Sequence, residues 1–316
     1  MHQINYHQYN DGILPVSTLN NAVIEWLSNV SIELNEMLQS EITYNKFNGV
    51  VNFRCRESHI DIENDLPYIN TRSTVILSEN YNQLLWCISY FICSSFDETL
   101  EYMDAKINGK PCNPNTFIIK KSMSVFEAGL SLINEYNKEI FFKLPNPEKY
   151  SNDNQLDIEK TNSVYCAGIS FIILHEFAHH YYGHITYCPS VDISKKEEFD
   201  ADDFAIEYLL SKCTTLDSIS SQKVGVIAVL ISLFFCHKTD ISGGDTHPDL
   251  DDRLYNYLGK LNDNDDSIYA IVIYMLLIWM KKNNIDYSSM KKCNPSWKEF
   301  CISFCDCIKQ YKLHNL

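Results

Sequence analysis

His175-Glu176-Phe177-Ala178-His179 closes the apolar run Val164 to Leu174, and the chain around it is read outward from there. On an α-helix, residues four apart project from one face one turn apart, so the imidazoles of His175 and His179 converge on a single point where a metal ion can be held. Glu176 stands beside the first of them. It reaches the edge of that point without ligating, placed to take a proton from an activated water and pass it to a leaving amine. The H-E-x-x-H pattern therefore predicts zinc-assisted hydrolysis, one zinc per chain. The plainer reading is a helix whose histidines are ordinary core or surface residues.

A third ligand separates these readings. The spacing H-E-x-x-H-x-x-G-x-x-H would need glycine at Tyr182 and histidine at Ile185, and neither is there. Gly183 reads as the helix stop, and His184 falls well round the helix from the pair. Further on, Glu198-Phe199-Asp200-Ala201-Asp202-Asp203-Phe204-Ala205 lies in a second helical pattern from about Lys195 to Leu210. Glu198, Ala201, Asp202 and Ala205 share one stripe, where two alanines admit another helix closely and the carboxylates point at it. Glu198 is the expected third ligand. Asp202, one turn beyond, is placed to accept the outer N–H of His175 or His179. Alone, the acidic run Glu197 to Asp203 would read as a solvated first turn.

A third element is Thr246-His247-Pro248, after the loop Ser242-Gly243-Gly244-Asp245. Pro248 is expected at the first helical position, with Asp249, Asp251 and Asp252 in the first turn. His247 could enter the cleft and donate to an oxyanion, and Arg253 could fix the second helix or the substrate. Against this, His247 could merely precede a helix and Arg253 pair locally with Asp249.

His175-Glu176-x-x-His179, Glu198-x-x-Ala201-Asp202-x-x-Ala205 and His247-Pro248 with Arg253 together resemble the gluzincin metallopeptidases. The arrangement is similar to the Lit-like phage-exclusion peptidases and to the M48-type and ImmA/IrrE-type peptidases that share parts of it. The resemblance spans roughly Val164 to Leu258. It implies a zincin-like helical core, zinc on His175, His179 and Glu198, Glu176 as general base and Asp202 behind the ligands. Its Lit-like branch implies intracellular cleavage of a host protein.

Composition narrows the alternatives. Forty-five per cent hydrophobic residues over 316 positions support a sizeable core, and a net charge of −15 argues against nucleic acid or an anionic membrane as partner. The first residues show no signal peptide. The longest apolar runs, Val224 to Cys236 and Ile268 to Met280, are expected to be buried helices, shorter than the ~20 residues a bilayer span takes. A cytoplasmic protein with free thiols follows, with Cys87, Cys93, Cys166 and Cys236 in apolar stretches and Cys301, Cys305 and Cys307 on a helix face. No G-x-G-x-x-G, Walker A or G-x-S-x-G occurs, which argues against kinases, dinucleotide enzymes and serine hydrolases.

The rest reads as mainly α. One helix is expected over Leu19 to Ile42, capped by Asn20 or Asn21, and others over Ser78 to Met103, Ser122 to Lys138 and Trp297 to Tyr311. Strands are expected at Val50 to Cys55 and Ser73 to Leu77, making a small N-terminal sheet. The polar segment Leu144 to Glu159 suggests a boundary between an α+β region, residues 1–158, that sets specificity or regulation, and a helical metallopeptidase region, residues 159–316, within what could be one continuous domain. The expected function is zinc-dependent cleavage of a protein or peptide. The rivals are an amidase or deubiquitinase-like hydrolase on the same metal chemistry, a binding module whose structural zinc takes His180 or His184 as fourth ligand, and an interaction protein without metal.

Overall fold

The structure is a computed structural model describing residues 5–9, 14–44, 46–54, 66–107, 109–134, 144–152, 154–184, 190–211, 216–261, 266–286 and 296–315. Its centre is helix α5, Gln155–Tyr181, the helix that carries the H-E-x-x-H. Every residue from Val164 to Ala178 is buried, as an apolar run flanked on all sides demands. The chain leaves this helix through Gly183, whose φ of 79° lies in the left-handed region and makes it the stop that its sequence position predicts.

Four helices enclose α5. They are α1 (Asn20–Ser28), α3 (Glu79–Ile107), α6 (Val191–Ser211) and α7 (Leu216–His237). The α5–α7 crossing is a backbone contact. A Cβ on Gly225 would sit 2.7 Å from the Val164 carbonyl oxygen and 2.8 Å from the Gly168 nitrogen, so only glycine permits the approach. Helix α4 (Thr116–Asn134) packs on α3. Helices α8 (Leu250–Leu261), α9 (Asp266–Lys282) and α10 (Trp297–Asn315) complete the described helical part, with α9 against α7 and α10 against both α8 and α9. One apolar cluster runs from Leu14 to Ile308.

A four-stranded sheet flanks the helices in the order β1-β2-β4-β3: β1 (Asn5–Tyr9), β2 (Val50–Arg54), β4 (Val75–Ser78) and β3 (Tyr68–Ile69). The first three are parallel and β3 is antiparallel to β4. The inner strand β4 is buried along its whole length, whereas β2 alternates, as a strand with one covered face should. The edge strand β3 lies against α5.

Mainly α with a small N-terminal sheet is therefore the architecture. Several local expectations are corrected. The single helix over Leu19 to Ile42 is two, α1 and α2 (Ile32–Thr43), because Ser31 is extended and its Oγ accepts the Leu34 N–H at 3.0 Å, starting a new helix. Asn20 is the first residue of α1 and not its side-chain cap. Ser78 ends β4, so α3 begins one residue later and runs on to Ile107. Helix α4 begins at Thr116, and the expected continuation to Lys138 lies outside the described residues. Neither β1 nor β3 was expected, since one lacks alternation and the other has two residues. Their partners define them. The apolar run Val224 to Cys236 sits in a longer helix, of which residues 220–237 are long and apolar enough to cross a membrane, with 67% of that window buried inside the fold. A core helix has the same properties.

The cysteines of the described residues are free thiols. Burial pushes Cys87 and Cys166 up to about 12, which makes them inert packing groups. Cys301, Cys305 and Cys307 all belong to α10.

Candidate active site and metal ligands

Helix α5 delivers His175 and His179 one turn apart, and α6 crosses it so that Glu198 faces both. The Nε2 atoms of the two histidines stand 3.2 Å apart. Glu198 Oε2 is 3.3 Å from His175 Nε2, and its Oε1 is 3.3 Å from His179 Nε2. Ligands about 2.0–2.1 Å from a tetrahedral zinc stand roughly 3.3 Å from one another, so these separations fit such an ion. The donor set and its electrostatics fit too. The buried Glu198 Oε2 has no hydrogen bond, and the potential donor atoms of the three residues all lie within 4.8 Å of one another. Burial lowers His175, but Asp202 and Glu198 outweigh it and push its pKa up to about 10. Burial likewise opposes ionisation of Glu198, yet the two imidazoles beside it and Arg253 hold its carboxyl well below the usual range. Such a cluster draws positive charge, whether a proton or a metal ion.

The outer nitrogens fix the rings. With Nε2 turned toward the other ligands, His175 donates from Nδ1 to Asp202 Oδ1 at 2.9 Å. Of the two histidines the sequence offered to Asp202, His175 is the one it meets. Arg253 grips the same carboxylate in a fork, Nε to Oδ2 at 2.9 Å and Nη2 to Oδ1 at 2.7 Å. Burial opposes the charge on both partners, and each offsets it for the other: Asp202 is held below the ordinary carboxylate range and Arg253 stays charged. The side chain of Arg253 thus pairs with Asp202 across helices rather than locally with Asp249. It joins α8 to the second helix, the contact that one of the sequence readings supposed.

His179 finds a partner that the sequence reading set aside. Its Nδ1 lies 3.1 Å from His184 Nδ1. No helical spacing reveals this, because the left-handed Gly183 turns the chain back before His184. His184 therefore meets the outer nitrogen of His179, and His180 turns to Ser73 Oγ at 3.0 Å and Glu41 Oε2 at 3.8 Å. Neither joins the three candidate donor atoms, so the expected fourth ligand of a closed site is not found in either residue.

Glu176 lines the cleft beside the histidines. It is 9% exposed, and its carboxylate accepts the backbone N–H of Ile69 from the edge strand β3. Burial raises its pKa, the neighbouring histidines oppose that rise, and Glu198 adds to it. The cleft holds about 660 Å³ and is bounded by Tyr68 and Ile69 of β3, Phe171 of α5 and Leu233 of α7, with His247 and Arg253 also lining it. His247 stands at its margin with a side chain 55% exposed, Nε2 3.5 Å from Glu198 Oε1 and Nδ1 2.8 Å from Thr246 Oγ1. Burial lowers its pKa against the pull of Glu198, which favours the neutral ring. Pro248 is not the first helical residue: α8 starts at Leu250, and Asp249 is drawn back by the Gly243 N–H at 3.1 Å and by Lys312 at 2.6 Å. Also absent from the sequence reading were the cleft contributions of β3 and of Tyr81, whose hydroxyl bonds Ser232 Oγ at 2.8 Å.

A helical protein with an enclosed three-donor site and a buried carboxylate beside it has the framework of a hydrolase. The family model Peptidase U49 matches residues 75–275, more than half of the chain, and the chain belongs to that peptidase family. No curated protein and no solved structure matches it.

Proposed function

We propose that this peptidase is a zinc-dependent endopeptidase of the gluzincin type, cleaving peptide bonds of an intracellular protein in the cytoplasm. The observation that carries the reading is the near-equal separation of His175 Nε2, His179 Nε2 and the Glu198 carboxylate, with a cleft on their open side. Zinc at these three groups would supply Lewis acidity, polarising a peptide carbonyl and acidifying water.

The remaining chemistry belongs to side chains. Glu176 takes a proton from the attacking water and returns it to the leaving amine, a task suited to a carboxyl whose pKa burial has raised. The Ile69 N–H holds that carboxylate in place from the edge strand. His247, neutral and facing the cleft, donates to the oxyanion as it forms on the attacked carbonyl. Asp202 keeps the proton of His175 on Nδ1 and leaves Nε2 free to ligate. Arg253 acts through Asp202. Residues 1–158 supply β3 and Tyr81 to the cleft wall, which supports a specificity role for that region alongside the helical region 159–316. The net charge of −15 supports a protein partner over nucleic acid or an anionic membrane surface.

The test is metal analysis of the purified protein with Glu176→Gln beside wild type. One zinc per chain in both, with hydrolysis lower by about 10²–10⁴-fold in Glu176→Gln, is expected of a general base. Full activity in that variant removes Glu176 from the mechanism. Absence of zinc after reconstitution removes the metallopeptidase reading.

A further inference from the structure

Helix α10 packs on α8 and α9 and buries one stripe of its surface, Cys301, Phe304, Cys305 and Ile308. Four residues on, the same stripe carries Lys312. Its side chain is 11% exposed, and a cation so placed needs negative partners. It has two: Nζ lies 2.6 Å from Asp249 Oδ2, and 2.9 and 3.1 Å from the two carboxylate oxygens of Asp251. Burial opposes the ammonium charge, and the two carboxylates outweigh it. Asp249, Asp251 and Asp252 cluster closely enough to hold a cation, and Lys312 already supplies one to the first two. Lys309 reaches Asp252 from an exposed position, where an ion pair contributes little.

Asp251 belongs to α8, so its pair with Lys312 bolts one helix to another. Asp249 does something else. It precedes the helix, and its second oxygen, Oδ1, accepts the Gly243 N–H at 3.1 Å. The Gly243 carbonyl in turn accepts the His247 N–H at 3.1 Å, and the Ile241 carbonyl accepts the Leu250 N–H at 2.9 Å, which closes residues 241–250 into a compact loop. Ser242, Gly243, His247 and Leu250 of that loop all line the cleft. A further brace comes from Ser194 of α6, whose hydroxyl donates to the Thr246 carbonyl at 3.0 Å from an exposed position.

We propose that Lys312 is a positioning residue: through Asp249 and Gly243 it fixes the loop that walls the cleft, and so holds His247 beside Glu198. The consequence for hydrolysis rests on the role proposed above for His247. The link from α10 to the loop does not.

The test is amide hydrogen exchange on the full chain, with Lys312→Met and Lys312→Arg beside wild type. In Lys312→Met the amides of Gly243 and His247 should exchange about tenfold faster, as expected when a hydrogen bond to a charged group is loosened, while those of α5 keep their protection. Lys312→Arg keeps the cation and should stay near wild type. A second variant, Lys312→Met with Asp251→Asn, leaves no unpaired carboxylate on α8 at this contact, so it reads the loop where the single change unsettles α10. In hydrolysis, Lys312→Met should lower kcat by about tenfold at unchanged KM, less than loss of an oxyanion donor itself, and should add nothing to the loss in His247→Ala. Unchanged exchange at Gly243 and His247 in both Lys312→Met variants overturns the proposal. So does exchange that quickens equally along α8 and α10, which makes Lys312 a bolt between helices alone, and so do losses of Lys312→Met and His247→Ala that multiply. Full activity in His247→Ala removes His247 from the mechanism, while the exchange result, which uses no substrate, still decides whether Lys312 holds the loop.

Discussion

Asp202 stands between His175 and Arg253, 2.9 Å from the imidazole Nδ1 of one and 2.7 Å from the guanidinium of the other, so one buried carboxylate ties a candidate metal-binding histidine on α5 to helix α8. Its negative charge strengthens His175 as a donor, and Arg253 keeps that charge from being lost to a proton. Asp202→Asn should therefore lower zinc affinity by about 10–100-fold while leaving the helices in place. Arg253→Ala strands the carboxylate without its cation and should cost about 3–5 kcal/mol of folding stability. Chelator competition reads the first and chemical denaturation the second. A wild-type zinc affinity in Asp202→Asn would show that the His175 ring is held by packing alone.

The same carboxylates set a pH dependence. In the metal-free protein His175 titrates at about 10, raised above its ordinary value by Asp202 and Glu198 against the effect of burial. A raised folded pKa stabilises the metal-free fold fully below the unfolded value, near ~6.5, and that contribution fades as pH climbs through about 10. On the proposed reading, a zinc ion held by His175 would have to displace this proton. Its apparent affinity should rise about tenfold per pH unit across that window, with about one proton released per ion bound. Calorimetry in buffers of different ionisation enthalpy counts the proton. No release at neutral pH would mean that His175 is neutral before the metal arrives.

Much of the site was legible because helical geometry carries information at short range. Four-residue spacing is enough to bring His175 and His179 together, and the stripe Glu198, Ala201, Asp202, Ala205 gives α6 a face that a second helix can approach. Other features lay beyond that range. Whether Asp202 met His175 or His179 depends on how α5 and α6 cross, which no spacing within either helix encodes. The break at Ser31 was hidden because the apolar spacing continues through both helices, although a serine three residues ahead of Leu34 is the local sign of a cap. β3 has two residues and exists through its pairing with β4, so its contribution to the cleft and to Glu176 could be seen only once the sheet was in hand.

The glycines at the α5–α7 crossing make a test of packing separate from chemistry. At Gly225 an added Cβ would meet the Val164 carbonyl oxygen at 2.7 Å and the Gly168 nitrogen at 2.8 Å, both backbone atoms that no rotamer change can move. Gly225→Ala must push the helices apart. The loss should be about 1–3 kcal/mol from overpacking, offset only in part by the better helix propensity of alanine. Thermal unfolding of the variant measures it. An unchanged melting temperature would mean that α7 slides along α5 at little cost.

His184 offers a contrast with Asp202. It faces the Nδ1 of His179 at 3.1 Å, as Asp202 faces that of His175, but it brings a ring whose pKa burial and the nearby His179 both lower, so it is a neutral partner. A neutral acceptor orients an imidazole without adding charge to it, and charge-assisted hydrogen bonds are roughly twice as strong as neutral ones. His184→Ala should then weaken zinc by about tenfold, the low end of what outer partners contribute, and less than Asp202→Asn does. His184→Asn, which keeps an acceptor, should restore part of the loss. Because His184 is half-buried beyond the end of α5, neither change should disturb the fold, and unfolding curves run beside the metal titrations check that. A loss in His184→Ala as large as in Glu198→Ala would instead place His184 among the ligands, and the site would then have the four protein donors of a structural centre.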